Sequence, residues 1–220
     1  MNLLDLDHNI FWKINHEWTG SVLDLLMAVA SSLSFWTIPL ALGFVLIAVF
    51  GGFRARAMLL ALVCAVGLTE TVNYTFKRMA GRWRPHQVLE GARVVTLTKT
   101  RPPQLALFRA PKVKSSKGVA EGEGRSFPSG HTANNFAALA ILVSFYRRNG
   151  WWFLPVALLV GYSRIYTGSH WPSDVAFSIA YGLAMGWLTV RILEQCWRMW
   201  GNRLAPQWYH KYPTLTPSET

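Results

Sequence analysis

Long apolar blocks without a basic residue constrain this chain more than any other feature. No Lys or Arg occurs between Lys13 and Arg54. Further blocks free of Lys and Arg lie at 57–76, 126–146, 149–163 and 165–190. Stretches of about 20 apolar residues with few charges are typical of membrane helices, and tryptophans at the block edges suit the membrane–water interfaces. With 51% hydrophobic and 15% charged residues, we predict an all-α, polytopic membrane bundle and not a large soluble helical core.

The apolar blocks predict about six transmembrane helices in a single domain, 1–220. Their expected positions are 19–33, 35–50, 57–77, 129–146, 151–165 and 173–196. The first two share one apolar run from Ser21 to Phe50, which is long for one span and short for two. A single tilted span preceded by an interfacial helix is the alternative for this run. Residues 1–18 mix aromatic and polar groups and are predicted to be an interfacial lead-in.

Small residues in the last predicted helix indicate a close helix contact. Ser178, Gly182 and Gly186 recur every fourth residue and so share one helix face. Side chains this small allow two helix backbones to approach each other in a membrane. We therefore expect this face to pack against another helix and not to form a binding site.

Basic residues in the short loops predict the orientation. Arg54 and Arg56, then Arg147 and Arg148, and the tail 198–220 all fall on one side if six helices are counted, and the positive-inside rule makes that side cytoplasmic. The two remaining connections, 78–128 and 165–172, then face the opposite side together. We therefore expect a protein of the cytoplasmic (inner) membrane with these two connections on its periplasmic, extracytoplasmic face.

The segment 86–126, between the third and fourth predicted helices, is expected to be a basic extracytoplasmic loop. From Lys77 to Arg125 there are twelve Lys and Arg residues against three acids. Residues 93–98 favour a strand, and Gly, Pro and Ser in 109–124 favour a flexible lid. A solvated loop without a specific role is the alternative. At an outer membrane surface, an anionic lipid headgroup is a better partner for these charges than nucleic acid.

The segment 163–174 places an arginine, a histidine and an aspartate in a short polar connection. Pro172 is tolerated in the first turn of a helix, so the chain is predicted to turn at His170 and to begin a new helix near Pro172. Asp174 then lies four residues after His170, where its carboxylate would accept the proton of one ring nitrogen and leave the other as a nucleophile or base. A helix-capping Asp beside a surface His is the alternative.

Two further clusters sit at predicted helix ends. Lys77 is followed after six residues by Arg84-Pro85, and the fourth helix opens with the sequence Pro-Ser-Gly-His at 128–131. A helix N-terminus with free N–H groups and a donor side chain is an anion site. Taken singly, the cations are also explained by snorkelling to the interface and Pro-Ser-Gly by ordinary turn chemistry.

Together, and in this order, the three clusters resemble the type-2 phosphatidic acid phosphatase superfamily, which also includes the vanadium haloperoxidases. The resemblance covers about residues 55–190, and the predicted six helices match its membrane members. The motif positions filled here are Lys77, Arg84, Pro85, Pro128, Ser129, Gly130, His131, Ser163, Arg164, His170 and Asp174.

The resemblance implies a metal-independent phosphatase without a cofactor. His170 would attack phosphorus and form a phosphohistidine, Asp174 would fix its tautomer, and His131 would protonate the leaving oxygen and then activate water. The phosphate oxygens would be bound by Lys77, Arg84, Ser129, Gly130 and Arg164. Three nearby cations favour neutral histidines until phosphate binds, and they oppose the alternative of a metal site built from His131, His170 and Asp174.

The expected substrate is a lipid phosphate in the bilayer. Undecaprenyl diphosphate ranks first, because the compact architecture resembles bacterial carrier-lipid phosphatases. Lipid A 1-phosphate, phosphatidylglycerophosphate and phosphatidic acid are the alternatives within the same reaction class. A membrane transporter or a non-hydrolytic lipid-binding protein is the alternative of another class. A transporter would place charges at mid-membrane, whereas these charges gather at one face.

Overall fold

The computed structural model describes residues 2–217 and is mainly helical. Its α-helices are α1 (Leu3–Trp12), α2 (Ser21–Ser31), α3 (Leu33–Phe50), α4 (Phe53–Ala80), α5 (Pro85–Val88), α6 (Gly130–Tyr146), α7 (Leu154–Tyr166), α8 (Pro172–Leu204) and α9 (Pro206–Lys211). A π-helical turn follows α1 at Lys13–Glu17, and 3-10 helices lie at Pro103–Phe108 and Arg147–Phe153. Two strands, β1 (Glu90–Thr96) and β2 (Lys112–Lys117), form an antiparallel pair. The chain is therefore not purely α-helical.

Helix α6 lies at the centre of the bundle, packed by α4, α7 and α8. Its contact with α8 is close because two glycines of α8 carry no side chain. A Cβ atom at Gly182 would lie 2.3 Å from the carbonyl oxygen of Ala133, and one at Gly186 would lie 2.3 Å from that of Ala137. The predicted packing face of α8 is confirmed.

Three helical segments of the described chain are long and apolar enough to cross a membrane, namely Leu33–Phe50, Phe53–Val88 and Pro172–Leu204. Only 6% of the α3 span is buried inside the protein, and its leucines, valines and phenylalanines are largely exposed. An apolar surface of this size suits contact with lipid tails. Helices α6 and α7 have 17 and 13 residues, shorter than a typical span of about 20 residues.

The predicted first span, 19–33, is not confirmed as a crossing helix, because α2 stays at one end of the bundle. Near its start, Asp24 accepts a hydrogen bond of 2.6 Å from Tyr166, in the last turn of α7. At its other end, Ser31 accepts hydrogen bonds from Arg164, also in the last turn of α7. The eleven residues of α2 therefore lie across the end of the bundle. The alternative of one span, α3, preceded by a separate short helix fits this geometry.

Within the described part of the chain, residues 2–217, five helices therefore run between the two ends, namely α3, α4, α6, α7 and α8. We call the end that holds α1, α2, the β1–β2 hairpin and the α7–α8 connection the hairpin end. Its two connections meet as predicted, because the main-chain N–H of His86 donates to the carbonyl of Gly168 at 3.2 Å. The indole of Trp171 also donates to the carbonyl of Trp83 at 2.8 Å. Residues 2–18, the described part of the predicted lead-in 1–18, lie at this same end.

The hairpin replaces much of the predicted lid. Strand β1 covers most of the predicted strand at 93–98, whereas β2 falls within 109–124, where a flexible segment was expected. The prediction missed β2 because its sequence, Lys-Val-Lys-Ser-Ser-Lys, is polar, while main-chain pairing to β1 does not need apolar side chains. Ser116 donates a further hydrogen bond to the carbonyl of His86, which joins the hairpin to α5.

The opposite end, which we call the tail end, is closed by the C-terminal residues. Leu215 is buried, and its N–H donates to the Glu194 carboxylate at 2.9 Å. The ring of Phe53 stacks on the rings of Tyr212 and Trp208 at centroid distances of 4.7 and 5.7 Å. These contacts join the start of α4, the end of α8 and α9.

Candidate active site

His170 is held in the five-residue connection between α7 and α8. Its side chain is buried, and Nδ1 lies 2.6 Å from the carbonyl oxygen of Ser126. A carbonyl only accepts, so Nδ1 carries the proton and Nε2 presents a lone pair. Gly168 lets the chain turn here, since its φ is +73° and a Cβ atom would lie 2.6 Å from the carbonyl oxygen of Arg93. The imidazole is thus oriented as a nucleophile or base.

Asp174 does not bond directly to the His170 ring, which corrects the sequence prediction. Its Oδ2 lies 3.8 Å from Nδ1 of His170, beyond hydrogen-bond distance. Instead Oδ2 accepts from the Ser126 hydroxyl at 2.5 Å and from the N–H of Trp171 at 3.0 Å. Asp174 therefore orients His170 indirectly, because it fixes the residue whose carbonyl binds the ring.

A buried ion-pair network from the N-terminal helix supports Asp174. The Arg82 guanidinium donates to Asp174 at 2.6 Å and to Asp7 of α1 at 2.5 Å. Asp7 also accepts from the N–H and the hydroxyl of Ser173, at 2.8 and 2.5 Å. Both carboxylates are almost fully buried. Sequence reasoning missed Asp7, Arg82 and Ser126; the excess of basic residues in 77–125 was the only available signal for Arg82.

The segment after α1 braces the other side of the same connection. The amide of Asn15 donates to the carbonyl of Tyr166 at 2.7 Å and accepts from the N–H of Arg93 at 2.8 Å. Arg93 in turn forms a bidentate pair with Asp24 of α2 at 2.8 Å. The end of α7, strand β1 and the N-terminal helices are therefore held together by buried polar contacts.

The predicted phosphate ligands converge beside the histidines. His131 lies within electrostatic range of Arg164, His170, Lys77 and Arg84. The side chains come from four separate parts of the chain, namely the end of α4, the start of α5, the start of α6 and the end of α7. Three cations around two imidazoles form a cup suited to a phosphate group. Convergence at one end is what the motif spacing predicted.

The start of α6 contributes main-chain donors. Gly130 and His131 lie in its first turn, where N–H groups have no acceptor within the helix. A side chain at Gly130 would crowd α4, since a Cβ atom there would lie 3.0 Å from the Asn73 amide nitrogen. Ser129 precedes the helix; its N–H donates to the Ser178 hydroxyl at 2.8 Å, and its own hydroxyl lies 2.9 Å from that of Thr132.

Burial sets the charge state of the candidate nucleophile. Burial lowers the pKa of His170 from its ordinary value to about 4, and the charges of Arg164 and Arg84 act in the same direction. Asp174 opposes this shift without reversing it. The ring of His170 is therefore neutral at neutral pH, as attack by a lone pair requires.

Within residues 2–217, no group of three His, Cys, Asp or Glu side chains is arranged to hold a metal ion. The alternative metal site at His131, His170 and Asp174 therefore has no support from the ligand geometry. Asp174 is already engaged by Arg82, the Ser126 hydroxyl and the N–H of Trp171.

The family model of the PAP2 superfamily matches residues 58–198. The chain belongs to this superfamily. The match confirms the resemblance and spans α4 to α8, with all the predicted motif residues. It does not include α1, α2 or α3, so Asp7, Asn15 and Asp24 lie outside the matched region.

Two curated relatives carry different substrates in their names. The chain is 42% identical over 72 residues to undecaprenyl-diphosphatase BcrC of Bacillus subtilis, which is 31% of this chain and 36% of that protein. It is 37% identical over 84 residues to lipid A 1-phosphatase of Rhizobium johnstonii, which is 37% of this chain and 32% of that protein. The matches thus span only about a third of each relative's length.

The fold is similar to a solved structure. The crystal structure of Aquifex aeolicus LpxE superposes with a TM-score of 0.63 and 23% sequence identity. The match covers 87% of this chain and 99% of that one. At this identity the likeness concerns the fold, and it covers more of the chain than the family region does.

Proposed function

We propose that the protein is an integral-membrane lipid phosphatase that works through a phosphohistidine. The observation that carries the proposal is the buried His170, with its Nδ1 proton on the Ser126 carbonyl, its Nε2 lone pair free, and the charges of Arg164 and Arg84 nearby. A protein that only binds anionic lipids needs the cations but not an oriented neutral imidazole. Membership of the PAP2 superfamily supports the same reaction class.

The proposed first step transfers the phosphoryl group to the protein. Nε2 of His170 attacks phosphorus, the bond to the lipid oxygen breaks, and His131 donates a proton to that oxygen. Lys77, Arg84 and Arg164 balance the charge on the equatorial oxygens, with the amides of Gly130 and His131 and the Ser129 hydroxyl as further donors. In the second step His131 takes a proton from water, which attacks phosphorus, and the P–N bond breaks to release inorganic phosphate.

Asp174 has an indirect role in this mechanism. As His170 becomes positively charged in the phosphohistidine, the buried carboxylate 3.8 Å away balances the new charge. The same carboxylate keeps the Ser126 carbonyl in place through the Ser126 hydroxyl. We therefore regard Asp174 as the residue that stabilises the intermediate and positions the nucleophile.

The substrate is proposed to be a lipid carrying a phosphate or diphosphate. Undecaprenyl diphosphate and lipid A 1-phosphate are the two candidates favoured by relatives of comparable identity. The residues of the phosphate cup bind only the group that is transferred, so they do not distinguish the two lipids. Phosphatidylglycerophosphate and phosphatidic acid are further members of the same class.

We propose that the hairpin end faces the periplasm from the inner membrane. Arg54 and Arg56, and also Arg147 and Arg148, lie at or beside the tail end, as does the C-terminal tail. The positive-inside rule makes that end cytoplasmic. With five crossing helices, residues 2–18 join the extracytoplasmic side, and the segment 86–126 covers the site as a hairpin with a 3-10 helix.

Phosphate release from a panel of purified lipids tests the proposed function. The assay compares wild-type protein with His170→Ala in detergent, in the presence of a chelator and with vanadate as inhibitor. We expect release from at least one lipid, inhibition by vanadate, and a loss of at least about 10⁴-fold in kcat for His170→Ala. Release that is unchanged in His170→Ala, or absent for every lipid, would contradict the proposal.

A further inference from the structure

A large cavity lies beside the phosphate cup at the hairpin end. Its volume is about 780 Å³, within the ordinary range of ligand sites of roughly 300–1,000 Å³. Its walls are the α2–α3 junction, strand β1 with the chain that follows it, and the end of α7 with the start of the α7–α8 connection. None of the family's motif residues lines it except Arg164.

The cavity is continuous with the site through Arg164, Thr167 and Ser169, which all line it. Arg164 is one of the three cations of the phosphate cup, and Ser169 immediately precedes His170. A phosphate bound by Arg164 would therefore lie next to this cavity, and a group attached to that phosphate could enter it.

The cavity wall is rich in hydroxyl groups, most of which have already used their protons. Thr98 donates to the carbonyl of Ala110 at 2.8 Å, and Thr100 donates to the carbonyl of Pro102 at 2.9 Å. Thr167 donates to the carbonyl of Ser163 at 2.8 Å. A hydroxyl whose proton is engaged still accepts through its lone pairs. The wall consequently offers hydrogen-bond acceptors between apolar patches from Ala28, Val94 and Ala106.

Acceptors of this kind distinguish between two possible occupants. A second phosphate carries only acceptor oxygens when ionised, so it needs donors and cations. Lys99 and Arg101 do line the cavity, but both side chains are exposed at its rim. A sugar ring brings hydroxyl donors together with apolar C–H faces, which matches hydroxyl acceptors interspersed with apolar side chains.

The outer wall of the cavity lies beside the start of the α3 span, where a lipid headgroup would lie. The 3-10 helix Pro103–Phe108 contributes Pro103 and Ala106 to the cavity and is tied to α3 by a 2.7 Å hydrogen bond from Gln104 to the carbonyl of Phe35. On its outer side Leu105, Leu107 and Phe108 are 47%, 44% and 83% exposed. Apolar side chains exposed beside the start of the α3 span suit the edge of a bilayer.

We propose that this cavity binds a sugar ring that carries the scissile phosphate, so that the substrate class is a lipid with a phosphorylated sugar headgroup. The inference rests on the proposed phosphatase function and names the substrate of the same site. Thr98 and Thr100 accept hydrogen bonds from the sugar hydroxyls, and Arg164 binds the phosphate between sugar and His170. A polyprenyl diphosphate has no hydroxyl donors to match these acceptors.

The first test compares two substrates in two matched double variants. Thr98→Val/Thr100→Val removes two hydroxyls of the cavity wall, whereas Thr71→Val/Thr75→Val removes two exposed hydroxyls of α4 that bond to the carbonyls four residues earlier. With lipid A 1-phosphate we expect the cavity variant to lose roughly tenfold in kcat/KM, mostly through KM. With undecaprenyl diphosphate its kcat/KM stays within about twofold of wild type, as it does for the control with both lipids.

A second variant leaves in place the hydrogen bonds that Thr98 and Thr100 donate to main-chain carbonyls. Thr96 lines the cavity with an exposed side chain, and Thr96→Trp fills the space without removing a buried residue. Soluble glucosamine 1-phosphate and inorganic phosphate then serve as competitive inhibitors of phosphate release from the lipid that the wild type hydrolyses fastest. We expect the sugar phosphate to inhibit the wild type at least about fivefold more strongly than phosphate does, and this advantage to disappear in Thr96→Trp.

The outcomes separate this inference from the proposed function. Equal losses on both lipids in the cavity variants, or equal inhibition by the two soluble compounds in wild type, would overturn the sugar site while His170-dependent release leaves the phosphatase intact. Release that does not depend on His170 with any lipid would overturn both.

Discussion

The two ends of the bundle differ in what they bury. The hairpin end encloses charged and polar side chains that bond one another across distant parts of the chain. The buried members there include Asp7, Asn15, Asp24, Ser126, Ser129, Thr132, Ser163, Thr167, His170, Asp174 and Ser178. The tail end is closed by stacked aromatic rings around Phe53, with Thr189 and Glu194 as its buried polar side chains among the residues described.

The two ends therefore have different roles: the hairpin end positions the catalytic residues, and the tail end stabilises the fold. Directional bonds to Asp174 and to the ring of His170 specify where the nucleophile lies, and each has a defined distance and partner. Aromatic packing at the tail end is less directional and mainly removes apolar surface from water. Changes at the hairpin end should therefore reduce catalysis, whereas changes at the tail end should reduce stability with little effect on catalysis.

The largest expected effect on catalysis comes from comparing two substitutions in α8, one at the hairpin end of the bundle and one towards the tail end. Asp174→Asn places an amide against the Arg82 guanidinium and the N–H of Trp171, so the carbonyl that orients His170 loses its support. We expect kcat to fall by roughly 10³-fold.

Glu194→Gln is the matched control, because Glu194 is also buried and also accepts from an arginine and an N–H. Its kcat should stay within about twofold; equal losses of kcat in both variants would remove the distinction between the ends.

A smaller effect on catalysis is expected from the N-terminal helix. Asp7→Asn leaves Arg82 paired with Asp174 alone and weakens both bonds to Ser173. We expect a decrease of about 10- to 100-fold in kcat with little change in KM, since the substrate does not touch Asp7.

Asp5→Asn controls for a general effect of the α1 sequence. Asp5 belongs to the exposed capping box of α1, and its replacement should leave kcat within about twofold. If Asp7→Asn lowers only the thermal midpoint and leaves kcat unchanged, the network serves stability and does not position the nucleophile.

The pH dependence of stability gives a third, thermodynamic contrast. The pKa of His170 is about 4 in the folded protein, below its ordinary value in the unfolded chain. Between pH 4 and 6.5 the unfolded state therefore binds more protons, so stability rises as pH rises through this window and then levels off. The lowered pKa of His170 changes the free energy of unfolding by at most about 3 kcal/mol across this window. Melting in detergent should show a smaller slope for His170→Gln in this window; an unchanged slope would mean that His170 is not buried as a neutral ring.

The smallest effect is expected at the tail end. Trp197→Phe removes the indole hydrogen bond of 2.8 Å to the carbonyl of Tyr212 while it keeps an aromatic ring beside Phe53. We expect a loss of about 1 kcal/mol in unfolding free energy and no change in kcat/KM. A change in kcat/KM without a change in the melting curve would show that the two ends are coupled.

The sequence predicted the helices and the motif residues at one end because both follow from local patterns. Basic-free apolar blocks mark α3 to α8, Pro172 marks the start of α8, and the cluster spacing places His131, His170 and Arg84 together. In contrast, α2 lies in one unbroken apolar run with α3, so composition alone does not tell a crossing helix from one that lies across the bundle.

The remaining features depend on long-range contacts that leave no local pattern. Asp7 meets Arg82 and Ser173, which are 75 and 166 residues away in sequence. The bond to the His170 ring comes from a main-chain carbonyl, which every residue possesses. Sequence spacing predicted Asp174 as the direct partner of the His170 ring. In the folded chain Ser126 lies between the two side chains.

Detection of the phosphoryl group on the protein is the most direct test of the central claim. Wild-type protein and His131→Ala are mixed briefly with ³²P-labelled lipid phosphate and quenched in alkali, in which phosphohistidine survives, and the labelled peptide is identified. The account predicts label on His170, accumulation in His131→Ala and no label in His170→Ala. Rapid turnover with label on another residue, or with no labelled protein at any time point, would contradict it.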